Sequence, residues 1–134
     1  MIYRTLGDYV RREREDSIVL VLPKRHVERF KEMLLLRGYK KIGKGYVRDG
    51  EMKLPGYAGR GVLNYSCHVR IERRGRGFEV LAHVDRRRGL RYGGWRTDPF
   101  RDELKKLTDA LEEELKIMLG VCLTGKKLEE VLRR

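Results

Sequence analysis

The sequence predicts an α+β fold, a mostly antiparallel sheet of about four strands with helices packed on one face. Three observations lead there. Residues 62–87 read as a β-hairpin in which apolar and polar side chains alternate with a period of two. The stretches after Pro23 and after Asp98-Pro99 space their apolar residues as an amphipathic helix does. At 134 residues the chain fits one domain, 1–134, whose core needs no metal or disulfide staple. The expected order is α-β-α-β-β-β-α-α.

Ile2, Leu6, Tyr9 and Val10 have helical spacing and predict a short helix over 2–14. The unbroken apolar run Ile18 to Leu22 reads as a buried central strand. Pro23 opens a helix where its missing N–H does no harm; Val27, Phe30, Met33 and Leu34 form the inner stripe and Gly38 the stop. Residues 39–48 read as a weaker strand interrupted by Gly43 and Gly45, and 49–61 as a Gly/Pro-rich loop.

In the hairpin, a tight turn at Gly75-Arg76 pairs Cys67 with Val84 and His68 with His83. Cys67, Val69 and Ile71 then share a core face with Val80, Ala82 and Val84. Ser66, His68, Arg70, Glu72, Glu79, Leu81, His83 and Asp85 occupy the other face, since a one-residue slip would bury charges. Residues 86–97 form a basic, glycine-rich loop. Asp98 caps a long helix with Pro99 at its first position, a stripe from Phe100 to Met118 and an end at Gly120. A last short helix covers about 125–132, with Thr124 as its cap.

Composition narrows the function. The net charge is +12, and it is unevenly placed: residues 1–36 carry +2, 37–97 carry +11 and 98–134 carry −1. Charge that only solubilises is spread and mixed in sign, so this concentration predicts a field directed at a polyanion. Glutamine is absent and Asn64 is the only asparagine, a composition expected of a thermophile protein, archaeal or viral in origin. No apolar run approaches the ~20 residues of a membrane span and no secretory leader is read at the start, so a cytoplasmic protein with no membrane partner is expected. Cys67 and Cys122 read as two small buried hydrophobes, or as a disulfide of the kind thermophiles retain.

The leading functional reading is a non-enzymatic, nucleic-acid-binding protein, regulatory or accessory, working without a cofactor. Its candidate DNA or RNA contacts are Lys40, Lys41, Lys44, Arg60, Arg70, Arg74, Arg76, Arg86, Arg87, Arg88, Arg91 and Arg96, which would neutralise phosphates. Tyr57, Tyr92 and Trp95 lie in glycine-rich loops among them and would stack on unpaired bases. The alternative is a metal-dependent enzyme acting on a phosphodiester. It rests on His68, His83 and Asp85, which the hairpin register gathers on one sheet face as two imidazoles and a carboxylate. The third histidine, His26, falls in the first helical turn and faces solvent. A third reading is a protein-interaction domain whose basic side meets an acidic partner.

Asp49, Glu51 and Lys53 resemble, over five residues, the acidic residue and Glu-x-Lys of restriction-like nucleases. In that family these sit on separate adjacent strands, whereas here they read as a polar turn. A phosphate-binding Walker loop and a dinucleotide Gly-x-Gly-x-x-Gly are not found, and neither Ser17 nor Ser66 has the glycine frame of a hydrolase elbow. The C-terminal helix of roughly 22 residues would span ~33 Å. That exceeds what a small sheet covers, so its surplus stripe predicts either a homodimer through the C-terminal helices or a monomer with the last helix folded back.

Overall fold

The computed structural model describes residues 9–54, 61–87 and 99–125. Six strands, β1 (Val10–Arg14), β2 (Ser17–Leu22), β3 (Lys40–Ile42), β4 (Gly45–Leu54), β5 (Gly61–Arg74) and β6 (Gly77–Arg86), form one sheet. Its order is β1-β2-β6-β5-β4-β3, with every neighbouring pair antiparallel. Two helices, α1 (Val27–Leu36) and α2 (Arg101–Thr124), complete the α+β architecture. The sheet thus has six strands where the sequence predicts about four, and three features account for the difference.

Residues 10–14 are a strand, not the end of a helix. Val10 alone of this segment is fully buried, and the unpaired edge of β2 supplies hydrogen-bond partners that outweigh the helical spacing. Residues 40–54 form a hairpin: Gly43, at φ 60°, turns the chain between β3 and β4 instead of breaking one strand. Residues 49–54, expected as loop, continue β4 to Leu54, because the long strand β5 offers pairing partners through Leu54↔Gly61. The predicted loop residues 55–60, most of the loop 86–97 and the predicted last helix lie outside the described residues.

The Ile18–Leu22 run forms interior strand β2, between β1 and β6. Pro23 precedes a short 3-10 turn, Lys24–His26, that leads into α1, and Gly38 ends the helix at φ 90°. Because β2 and β3 lie in different parts of the sheet order, the α1 connection crosses three intervening strands on one face. α2 packs on that same face, against β6 and β2 and beside α1. The core fills the space between: Ile18, Leu20, Leu22, Val69, Val80, Ala82 and Val84 from the sheet meet Phe30, Leu34, Leu104, Leu111, Leu115, Met118 and Leu119 from the helices. Burying each such side chain contributes roughly 1.5–3 kcal/mol.

Helix α2 does not stop at Gly120. Gly120 is buried within it, the stripe continues through Val121 and Cys122, and the left-handed cap is Gly125 at φ 67°. A mid-helix glycine costs about 1 kcal/mol, which the burial around it exceeds. Thr124 belongs to α2, its hydroxyl donating to the Gly120 carbonyl at 2.6 Å; the further helix it is expected to cap lies outside the described residues. Cys67 and Cys122 are both buried and free.

One polar network crosses the core side. Glu114 of α2 accepts hydrogen bonds from Arg37 at 2.8 Å, Arg48 at 3.0 Å and the Tyr39 hydroxyl at 2.9 Å. The Arg48 guanidinium also stacks 4.5 Å from the Tyr39 ring centroid. At the other edge, Arg12 of β1 is ion-paired with Asp109 and Glu112 of α2.

Candidate functional site

Strand pleating divides the sheet into a helix-covered face and a second, largely open face on which Val19 and Ser66 are nonetheless buried. Cys67, Val69, Val80, Ala82 and Val84 point to the helices, as the hairpin alternation predicts. The register pairs His68 with His83 and Ser66 with Asp85. β4 adds Val47 beside His68 and Asp49 beside Ser66. Two adjacent rows on the open face therefore read Val47–His68–His83 and Asp49–Ser66–Asp85.

The two imidazoles are stacked, with centroids 4.9 Å apart and planes within 4°. Both direct Nε2 at one carboxylate oxygen. His83 Nε2 donates to Asp85 Oδ2 at 2.9 Å, and His68 Nε2 lies 3.4 Å from the same atom. The ligand atoms of His68, His83 and Asp85 all fall within 4.8 Å of one another. Solvent still reaches them, the side chains being 37%, 47% and 55% exposed. The hydrogen bond from His83 holds the Asp85 carboxyl below its usual range, so Asp85 is the acceptor. The same bond raises His83 against the opposing effect of burial. Burial lowers His68, with Asp85 opposing it. Asp49, one strand away, accepts from the Ser66 hydroxyl at 2.6 Å and lies 3.5 Å from an Arg87 nitrogen. The sequence reading puts Ser66 on one face with His68, His83 and Asp85, as observed, but reads Asp49 as part of a loop. Extending strand pairing to β4 is the signal that finds it.

The candidate nucleic-acid contacts divide by position. Both hairpin turns point to the same end of the sheet. Gly45, just after the β3–β4 turn, pairs with Arg70, and β5 then runs on to the β5–β6 turn at Gly75. Leu22, before the first turn of α1, pairs with Phe78 at that end. Lys41, Lys44, Arg70, Arg74 and Arg76 thereby lie along this half of the sheet, from the Val69 level of Lys41 to the β5–β6 turn, and Lys24 and Arg73 join them. Carboxylates on this rim are few: Glu72 pairs with Arg70 at 2.8 Å and Glu79 with Arg74 at 3.3 Å. Lys24, Lys41, Lys44, Arg73 and Arg76 make no ion pair among the described residues and are exposed. Lys40 sits at mid-sheet height opposite Val47.

Arg86 and Arg87 are elsewhere. They close β6 at the opposite end, where Tyr65 pairs with Arg86, nine residue steps or about 30 Å from the Arg74 level. Arg86 shares its parity with the core residue Val84, lies on the helix-covered side and stacks 4.6 Å from the Phe100 ring centroid. Tyr57, Arg60, Arg88, Arg91, Tyr92, Trp95 and Arg96 lie outside the described residues. The open face itself is mixed in sign, with Asp49, Glu51, Glu72, Glu79 and Asp85 set among Lys53, Arg70 and Arg74. Asp49, Glu51 and Lys53 share that face on the single strand β4, not on two adjacent strands. His26 lies in the 3-10 turn, partly covered, and accepts from Arg25 Nε at 3.1 Å.

No family of known proteins and no curated protein sequence matches this chain. The geometry of its own residues therefore carries the functional reading.

Proposed function

We propose that this protein binds nucleic acid through its phosphates, using the basic rim where the two hairpin turns and the start of α1 meet. The observation that carries the reading is this rim: Lys24, Lys41, Lys44, Arg73 and Arg76 converge there without ion pairs among the described residues, in a chain of net charge +12. Cations held at one end on short turns meet a phosphate backbone together, and each phosphate neutralised releases condensed counterions. Arg86 and Arg87 lie at the far end of the sheet. The candidate contacts outside the described residues include Tyr57, Tyr92 and Trp95, which in this reading stack on unpaired bases.

Fluorescence anisotropy with labelled DNA and RNA, single- and double-stranded, over a salt series tests this. Affinity falls steeply with salt, by a log–log slope near −0.9 per phosphate contact on duplex. The double charge reversal Lys44→Glu with Arg76→Glu weakens binding by roughly tenfold or more and flattens the slope by about two. Absence of binding at low salt, or a rim variant that binds like the parent, removes the reading.

The convergence of His68, His83 and Asp85 favours one second reading, an enzyme acting on a phosphodiester with a divalent metal ion. Strand cleavage that requires added metal and disappears in His83→Ala would replace the binding reading with this one.

A further inference from the structure

We propose that His68, His83 and Asp85 form a binding site for one divalent first-row transition ion, with zinc or cobalt as the fitting probe. The inference goes beyond nucleic-acid binding and does not depend on it: the cluster uses none of the rim cations, although Arg70 lies only two residues from His68 along β5.

The site is built on paired strands. His68 is held by β5 between two neighbours, and His83 and Asp85 are two residues apart on interior strand β6. Strand pairing sets these positions more precisely than a loop does. The spacing suits an ion. In a tetrahedral site with bonds of about 2.0–2.1 Å, neighbouring ligand atoms stand about 3.3–3.4 Å apart. The observed separations from Asp85 Oδ2 are 2.9 Å to His83 and 3.4 Å to His68. The three ligand atoms lie within 4.8 Å of one another, so the two stacked imidazoles must draw together by about an ångström around the ion.

The two rings already share one focus: His83 Nε2 hydrogen-bonds Asp85 Oδ2, and His68 Nε2 lies 3.4 Å from the same oxygen. The surroundings also favour a cation, since the charges of Asp49 and Asp16 act on His68 and His83 respectively. Two imidazoles with one carboxylate select zinc, cobalt, nickel or ferrous iron over magnesium or calcium, which prefer oxygen-only ligand sets. With three protein ligands on a solvent-reached face, at least one coordination position is left to water.

The test uses the full chain, free of any affinity tag, stripped with chelator and titrated with cobalt(II) and zinc(II) without nucleic acid. Expected are visible cobalt absorption bands, one ion per chain, and a rise in Tm with zinc. His68→Ala, His83→Ala and Asp85→Asn should each weaken binding by at least about tenfold, while His26→Ala leaves it unchanged. Circular dichroism of each variant separates lost binding from lost folding, and the conservative His68→Gln and His83→Gln replacements repeat the test should an alanine variant unfold. A chain that takes up no cobalt, or folded variants of all three residues that bind it as the parent does, would overturn the site. The rim variant Lys44→Glu/Arg76→Glu keeps full cobalt binding, so failure of one proposal is distinguishable from failure of the other.

Discussion

Glu114 illustrates how a charge on a helix becomes structural. It is only 11% exposed and receives three hydrogen bonds, from the end of α1, from the residue before β3 and from β4. Burial pushes its carboxyl up, but the hydrogen bonds from Arg48 and Arg37 outweigh that and hold it below the usual glutamate range. Burial, with the Glu114 charge second, pushes the Tyr39 phenol far up, so Tyr39 stays a donor. Replacing Glu114 with Ala leaves Arg48 and Tyr39 short of a partner and should cost about 1–3 kcal/mol in urea unfolding. The sign of the pH effect follows from the lowered value. Stability from this carboxylate is complete above the unfolded-state pKa and drains away as pH falls through the lower folded-state pKa. Between about pH 5 and about pH 3 the parent should therefore lose more stability than Glu114→Gln; equal losses would show that the network is not coupled to folding. The sequence marks Glu113 and Glu114 alike as charges of a mixed helix. Helical phase separates them, since Glu114 falls three residues after Leu111 and four before Met118.

The β5–β6 hairpin shows which elements were readable. Its turn needs a left-handed residue, and Gly75 holds φ 58°. Gly75→Val should cost roughly 1–2 kcal/mol by denaturant unfolding, from backbone strain alone, because no atom lies within 4 Å of the added Cβ position. An unchanged midpoint would mean that the turn relaxes freely. The register was legible because a period of two leaves only one alignment that keeps charge out of the core, and that alignment placed His68 against His83. β1 was not legible. Its apolar spacing suits a helix, and only the open edge of β2, together with the ion pairs from Arg12 to α2, makes the extended form the better-satisfied one. Likewise nothing local in Asp49 to Leu54 signals a strand; the length of β5 does.

At the scale of the whole molecule, charge and helix length take new meanings. Among the described residues, Lys24, Lys44, Arg73 and Arg76 lie toward one end of the sheet and Arg86 and Arg87 at the other, while the face away from the helices alternates cations with carboxylates. The surplus stripe of α2 is largely consumed within the chain, since Leu111, Leu115, Met118, Val121 and Cys122 are all buried. Large apolar side chains that stay uncovered include Leu35 and Leu36 of α1, 54% and 85% exposed, besides Ile42 and Val62 of the sheet. Leu36 lines a groove of about 730 Å³ between the helices, with Met33, Ile117 and Met118. A homodimer joined through the helices is a proposal that light scattering decides: a mass of twice 15.9 kDa supports it and a single mass removes it. No helix among the described residues is long and apolar enough to cross a membrane.

The sequence by itself determined the α+β class, strand β2, helix α1 with its glycine stop, the hairpin register and the meeting of two histidines with an aspartate. Each is a local or two-strand property, set by the periods of 2 and 3.6 and by glycine and proline geometry. Tertiary structure alone decided the strand order, the extension of β4, the edge strand β1, the burial of Glu114 and the gathering of cations from three separate turns at one end. Those depend on which open backbone edges and which charges come together once the sheet is assembled, and neither is encoded in the spacing of neighbouring residues.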